Sequence, residues 1–332
     1  MIRRVAIVGA GTMGTGIAIT CLAAGLPTTL IDTANTALGR AKDRIYGYFV
    51  REVDKGRMTP GQKERAVQFL TLSTGLEAPT GADLTIEAVF ENIDVKQKLM
   101  KRMEPFLPAD SIVATNTSCL QVGVIAKGLA DPGRLIGLHY FSPAERSPVV
   151  EVVSSNFTRE AVRTRALGFL AATQKTPLPC KDRPGFALNR FFCPYCNEAA
   201  RLQETGIATP AQIDAIAREA FGVPAGPFRV MNLTKPVIML RAMQGLASLG
   251  DGYVVARSLQ EQGDAGRSWN IDDTETAVTN DVRKKVVERL QSTLHHTAME
   301  AIDEGIASPS DMETGARLAL GFEETSFLTL RA

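Results

Sequence analysis

No window of the 332 residues approaches the roughly 20 uninterrupted apolar residues that a membrane-spanning helix needs, so the reading is of a protein that does not cross a membrane. Charge of one sign is also missing. Lys and Arg total 37 against 36 for Asp and Glu, which leaves no global field to recruit nucleic acid or an anionic membrane. Any anionic ligand must therefore be met locally. Cysteine is sparse and odd in number, five in all, which fits a reducing cytoplasm better than a disulfide scaffold. Cys193-Pro-Tyr-Cys196 is the sole C-x-x-C; no βαβ start precedes it and its surroundings read as helix, so it is expected to be a buried structural pair. No cluster of ligating residues suggests a metal. Histidine is also scarce, at three, and only His139 lies where acid–base chemistry is expected; His295 and His296 sit together on a helical stretch.

What is present begins with Arg4-Val-Ala-Ile-Val8, a short β-branched run that ends at Gly9-Ala-Gly11-Thr12-Met13-Gly14 and opens into a helical pattern over 17–24. Strand, glycine turn and helix come in the order that dinucleotide binding requires. Gly9 permits the tight turn, Gly11 lets the backbone approach a diphosphate, and Gly14 brings helix against strand. The same glycines argue against reading Arg3, Arg4 and the apolar stretch after them as a signal peptide. Asp32 ends the next strand, eighteen residues past Gly14, where an acid hydrogen-bonds the adenosine ribose and repels a 2′-phosphate; NAD is the expected cofactor. An N-cap role for Asp32 is the plainer alternative.

Residues 36–70 read as two charged helices with a basic tint that includes Arg40, Arg44, Arg51, Lys55 and Arg57, a helical arm suited either to a phosphate-bearing substrate or simply to solvent. Strands follow at 83–89 and 112–115, the second opening into Asn116-Thr-Ser118, small polar residues at the end of a strand where open α/β sheets place ligand contacts. Ser118 could equally cap a helix beginning near Gln121.

His139 then ends a short apolar strand, and Glu151 lies inside another, so both side chains can project into one cleft as a proton-handling pair. The fold class that emerges is α/β, a Rossmann-type doubly wound and mostly parallel sheet, followed by an all-α C-terminal domain.

The boundary is placed at Asp182-Arg-Pro-Gly185, giving domains 1–183 and 184–332. Helices are expected from Phe186 to Glu204, from Pro210 to Phe221, in one long element after Asn232, and from Val282 to Glu304, with Asn189 near the start of the first. This region carries an internal repeat. Gly206-Ile-Ala-Thr-Pro210 recurs as Gly305-Ile-Ala-Ser-Pro309 at an offset of 99, defining a first copy over about 184–230 and a second over about 283–328. Asn189 falls on Glu288 under that offset, so the second copy is expected to be structural.

Together, Val8-Gly-Ala-Gly-Thr-Met-Gly14, Glu87-Ala-Val-Phe-Glu-Asn92, Thr115-Asn-Thr-Ser118, Gly137-Leu-His-Tyr-Phe-Ser-Pro143 with Glu151, and Lys181-Asp-Arg-Pro-Gly-Phe-Ala-Leu-Asn-Arg190 resemble the 3-hydroxyacyl-CoA dehydrogenases, in the family's order and spacing up to about Phe228. The duplicated tail is similar to that of the longer members. The resemblance implies NAD-dependent oxidation of an (S)-3-hydroxyacyl-CoA, or its reverse, with His139 as general base and Glu151 as its orienting partner. It further implies that Ser118 and Asn189 hydrogen-bond the substrate's C3 oxygen and the imidazole, that Asp32, Glu91 and Lys96 meet NAD, and that Lys55 meets the coenzyme A phosphates. Asn116, at the same strand end, is grouped with the cofactor contacts.

Ser142 stands where many members have asparagine, Tyr48 replaces a small hydroxyl residue, and Asn232 and Lys235 stand where the family usually has an aspartate and a glycine. Alternative readings are a related dehydrogenase acting on a carrier-protein thioester or free hydroxy acid, and a non-catalytic NAD-binding protein, which the intact His139 and Glu151 argue against. One-copy members pair through the helical domain, so a homodimer formed there is one expectation; two copies in one chain satisfying that surface internally is the other.

Overall fold

Val5–Val8 forms β1, four apolar residues that are all buried. It sits inside the sheet because such a run, buried on both faces, suits the interior of a parallel sheet and no edge. The computed structural model describes residues 1–274 and 277–328. The chain clusters into two units, Met1–Asp182 and a second that begins at Arg183.

In the first unit β1 is followed by α1 (Thr12–Ala23), β2 (Thr28–Ile31), α2 (Asn35–Asp54), α3 (Pro60–Gln68), β3 (Leu70–Ser73), β4 (Leu84–Glu87), α4 (Ile93–Met103), β5 (Ile112–Thr115), α5 (Val122–Ala126), β6 (Leu135–Tyr140), β7 (Val149–Ser154), α6 (Glu160–Ala172) and β8 (Thr176–Lys181). The eight strands lie in the order β3-β2-β1-β4-β5-β6-β7-β8. The first six are parallel; β7 runs antiparallel to β6, and β8 parallel to β7. The chain winds outward from β1 in one direction and then, from β4, in the other. The order therefore reverses between β1 and β4, which opens a crevice at the carboxyl ends of the strands.

Sequence reading does not anticipate β3. Leu70–Ser73 has no apolar run and is half-exposed; it is a strand because β2 offers an unpaired edge in register, Thr28 opposite Leu70 through Ile31 opposite Ser73. The two charged helices before it thus also serve as the crossover to that edge. α2 buries Leu38, Ala41, Ile45 and Phe49, a stripe at helical spacing, and α3 begins with a capping box in which Thr59 and Gln62 satisfy each other's backbone N–H groups. Pro177 and Pro179 lie in β8, which an edge strand tolerates because one side of its ladder is unused.

The second unit is helical: α7 (Asn189–Glu204), α8 (Pro210–Phe221), α9 (Pro227–Thr234), α10 (Pro236–Leu246), α11 (Arg257–Ala265), α12 (Asn280–Asp303) and α13 (Pro309–Leu318). Two expectations are corrected. The first helix starts at Asn189 and not at Phe186, because Gly185 and Phe186 have φ of 78° and 49°, outside the right-handed helical region. The long helix expected after Asn232 is not formed as one element: α9, begun at Pro227, stops at Thr234, and α10 runs only from Pro236 to Leu246, because Pro236 lacks an N–H and disfavours helix in the residue before it.

The repeated sequence folds the same way twice. Gly206 and Gly305 have φ of 67° and 61° at the ends of α7 and α12, and Thr209 and Ser308 then cap α8 and α13 with their side chains. α7 lies against α12, with Arg289 paired to Glu198 and Arg190 to Glu304. Phe191 and Tyr195 of the first copy pack on Phe322 and Phe327 of the second, ring centroids 5.4–6.5 Å apart across the cluster. Cys193 and Cys196 are both buried in α7, outside any disulfide. Among the described residues no helix is long and apolar enough to cross a membrane.

Candidate active site

The glycine turn after β1 is built by close approach. A Cβ on Gly14 would lie 1.8 Å from the carbonyl oxygen of Gly9, and Gly9 itself has φ of 110° with Ala88 O 2.5 Å from where its Cβ would stand. Only glycine fits either position. At Gly11 a Cβ would meet nothing within 4 Å, which is the open backbone a diphosphate needs. Thr12 and Met13 start α1, so their peptide units belong to the positive end of that helix. Asp32, just past β2, accepts from Ala10 N at 2.9 Å and from Ala34 N at 3.0 Å. Its carboxylate braces the glycine turn, and α2 is capped by Ala34 without a side-chain bond, so Asp32 is not the cap of that helix.

The ends of β4 and β5 hold a buried ionic network. Glu87, fully buried, accepts from Lys96 Nζ at 2.6 Å and Val89 N at 2.7 Å through Oε1, and from the Thr115 hydroxyl at 2.7 Å through Oε2. Thr115 stands beside Glu87 in the β4–β5 register. Lys96 is 1% exposed and its ammonium also lies 3.2 Å from Glu91. Glu91 in turn accepts from the Thr117 hydroxyl and from the backbone N–H groups of Ser118 at 2.8 Å and Cys119 at 3.2 Å. Burial pushes its carboxyl up, but the Lys96 ammonium and these three donors outweigh burial and hold it below the usual carboxylate range. The Ser118 loop is thus pinned to Lys96 through Glu91. Asn116, nearly buried, accepts from Tyr140 N at 2.9 Å and ties the same loop to β6. Ser118 does not cap α5, whose N-cap is Gln121; Asp182 instead accepts from Val122 N and Gly123 N at that helix's start.

His139 and Glu151 are directly opposite in the antiparallel β6–β7 pair, and Nδ1 of His139 is 2.6 Å from Oε2 of Glu151. The carboxylate is fully buried and the imidazole 5% exposed. The His139 ring also lies 4.6 Å from that of Phe141, centroid to centroid. Ser142, exposed, follows in the connection between the two strands and precedes a cis bond to Pro143. The first unit therefore gathers Gly9, Gly11, Gly14 and Asp32 in one turn and its brace, Glu91, Lys96, Asn116 and Ser118 in one loop network, and His139 with Glu151 in one pair.

Lys55 is exposed at the C-cap of α2, and Asn189 opens α7 in the second unit. Sequence reasoning quotes Glu87 and Thr115 within motifs but gives neither a role; an acid and a hydroxyl inside apolar strands are the available signal. It takes Arg44 only as one of the basic residues of the helical arm and gives Glu145 no role, yet the two pair at 2.8 Å across 101 residues.

The glycine turn and first sheet match the NAD binding domain of 3-hydroxyacyl-CoA dehydrogenase over residues 4–183, and residues 185–269 match the C-terminal domain of the same family. A probable 3-hydroxyacyl-CoA dehydrogenase of Caenorhabditis elegans is 38% identical over 70% of this chain and 79% of its own length. The 3-hydroxyadipyl-CoA dehydrogenase of Escherichia coli is 36% identical over 70% of this chain, and the match spans 49% of that longer protein. The fold is shared with a solved 3-hydroxybutyryl-CoA dehydrogenase of Escherichia coli, with a TM-score of 0.87 and 24% identity over 97% of this chain and 89% of that one. A glycine turn with room for a diphosphate, an acid after β2 and two consecutive domain matches agree: the chain belongs to the 3-hydroxyacyl-CoA dehydrogenase family, and its first unit is that family's NAD-binding domain.

Proposed function

We propose that the protein interconverts an (S)-3-hydroxyacyl-CoA and the 3-oxoacyl-CoA, with His139 as the proton-transferring group. The observation that carries this reading is the 2.6 Å contact between His139 Nδ1 and a fully buried Glu151. An ionised Glu151 accepts a hydrogen bond from the Nδ1 proton, which makes Nε2 the unprotonated ring nitrogen and so the one to take the substrate's hydroxyl proton. As the imidazolium forms, the adjacent carboxylate stabilises its charge in a place water does not reach. In the reductive direction the imidazolium returns the proton to the C3 oxygen. Bound NAD supplies the hydride acceptor at its nicotinamide.

Ser118, on the loop pinned by Glu91, is proposed to hydrogen-bond the C3 oxygen, and Ser142 to line the acyl side of the site. Asn189 is likewise proposed to hydrogen-bond that oxygen. Asp32 is proposed to accept from the adenosine ribose, with Glu91, Lys96 and Asn116 holding the loops around the cofactor, and Lys55 to meet a coenzyme A phosphate. Self-association through the helical unit is the partner reading, to be measured by sedimentation equilibrium.

The test is to mix purified protein with acetoacetyl-CoA and NADH and follow nicotinamide absorbance, in parallel with NADPH and with free acetoacetate. Oxidation confined to the NADH and thioester pair supports reaction, cofactor and carrier together. Turnover of free acetoacetate at a comparable kcat/KM would move the substrate to a hydroxy acid, and silence despite bound NADH would remove the acetoacetyl thioester.

A further inference from the structure

Arg44, on α2, divides the two arms of its guanidinium between two places that the sequence keeps far apart. Nη1 donates to the carbonyl of Thr12, in the first turn of α1, at 2.7 Å, and Nη2 donates to Oε1 of Glu145 at 2.8 Å. Glu145 lies in the connection between β6 and β7, six residues after His139 and six before Glu151. Its side chain is 8% exposed. Its second oxygen has no hydrogen-bond partner among the described residues and rests on α1, where a Cβ on Gly16 would come within 2.5 Å of it. Ala144 O ties the connection to the same helix by accepting from the Thr20 hydroxyl at 3.4 Å, and Lys175 Nζ, from the turn before β8, donates to Ala144 O and Ser147 O at 2.7 Å each. Lys175 feels the Glu145 charge, but its hydrogen bonds go to backbone carbonyls; the hydrogen-bonded ion pair of Glu145 is with Arg44.

A buried carboxylate on the second turn of α1 opposes what that helix is there to do. The N-terminal turns of α1 carry the positive end of the helix dipole toward a diphosphate, and a negative charge beside them repels the same ligand. We propose that Arg44 is a positioning residue of the dinucleotide site: it neutralises Glu145 beside the glycine turn and clamps the His139–Glu151 connection onto that turn through Thr12. The planar fork matters, since its two nitrogens reach two acceptors at once where an ammonium is a single point charge. This role rests on the dinucleotide site and not on the identity of the acyl group, so its test stands apart from the turnover assay.

The test is the NADH dissociation constant, by fluorescence titration, for wild type, Arg44→Met, Glu145→Gln, the double variant and Arg44→Lys, with thermal unfolding of each. Arg44→Met is expected to weaken NADH about tenfold, because it leaves an uncompensated unit charge in a partly buried place beside the turn that receives the diphosphate. Adding Glu145→Gln to Arg44→Met should restore most of the loss, and Arg44→Lys should recover melting temperature more fully than NADH affinity. An ion pair that only braces the fold would give a double variant no better than Arg44→Met, and that result overturns the proposal, as does wild-type binding by Arg44→Met. Should Arg44→Met not fold, Glu145→Gln decides alone: it should bind NADH at least as tightly as wild type, and weaker binding overturns the assignment.

Discussion

His139 and Glu151 face each other across a single antiparallel pair, 2.6 Å from Nδ1 to Oε2, in a sheet whose first six strands are otherwise parallel. The local reversal is what makes this contact direct. Residues twelve apart in sequence become cross-strand neighbours only if the second strand turns back on the first. On the proposed mechanism, His139→Ala should lower kcat by roughly 10²–10⁴ and Glu151→Gln by somewhat less, since the imidazole transfers the proton and the carboxylate orients it. NADH affinity should stay near wild type in both. Full turnover by either variant would remove that residue from the mechanism.

Asp32 has two tasks in the structure, a brace on Ala10 N and, on the proposed reading, the ribose contact. Asp32→Ala should weaken NADH about tenfold and narrow the preference over NADPH, because it removes a charge-assisted acceptor and the repulsion of a 2′-phosphate together. Parallel NADH and NADPH titrations check this; an unchanged preference would assign Asp32 to the brace alone.

Lys96, itself buried, separates two carboxylates, Glu87 fully buried and Glu91 partly so. Lys96→Met should cost roughly 3–5 kcal/mol, the range for breaking a buried pair and leaving charge uncompensated, read from urea unfolding at pH 7. The penalty should shrink as pH falls. Glu91 in the wild type is held below its unfolded value, so the stability it contributes is present above that value and lost as pH drops through the folded one. A Lys96→Met penalty independent of pH between 7 and the acid range would mean that the carboxylates do not feel the lysine.

Asp214 titrates the other way. It accepts from Phe228 N and Arg229 N at the start of α9, yet burial dominates and pushes its carboxyl up from 3.8 to about 6. A raised carboxyl favours the folded state when protonated, so its contribution is full below about pH 4 and declines as pH rises through 6. Relative to wild type, Asp214→Asn should gain stability between pH 4 and 7, by at most about 3 kcal/mol for a shift of this size. Urea midpoints for both proteins across that window give the difference directly, and a flat or falling difference would rule out the buried charge as its source.

Lys235 is held at φ 74° and ψ 130° between α9 and α10, a conformation glycine adopts freely and other residues at a cost. Proline 236 adds the constraint that the residue before it be extended. Lys235→Gly should stabilise the protein by about 1 kcal/mol, relief of strain exceeding the extra freedom of the unfolded chain. Loss of stability would mean that the lysine side chain makes up for its backbone.

Much of this protein is determined by the sequence alone, where the controlling physics is local. The glycine turn, the apolar runs of β1, β4 and β5, the helix stripe of α2 and the Gly-x-x-Thr/Ser-Pro punctuation of both helical copies follow from allowed φ/ψ and side-chain periodicity. Those operate over a few residues. Tertiary structure decided the rest. Leu70–Ser73 became a strand because β2 had an edge to offer, and α9 stopped and α10 restarted where a proline met a residue at positive φ. Glu87, Lys96 and Thr115, and likewise Arg44 and Glu145, acquired partners only once strand order and helix packing brought them together. A charge near an apolar run says that it must be paired if buried, because desolvation leaves no alternative. Which charge pairs with it depends on distances that no local pattern carries.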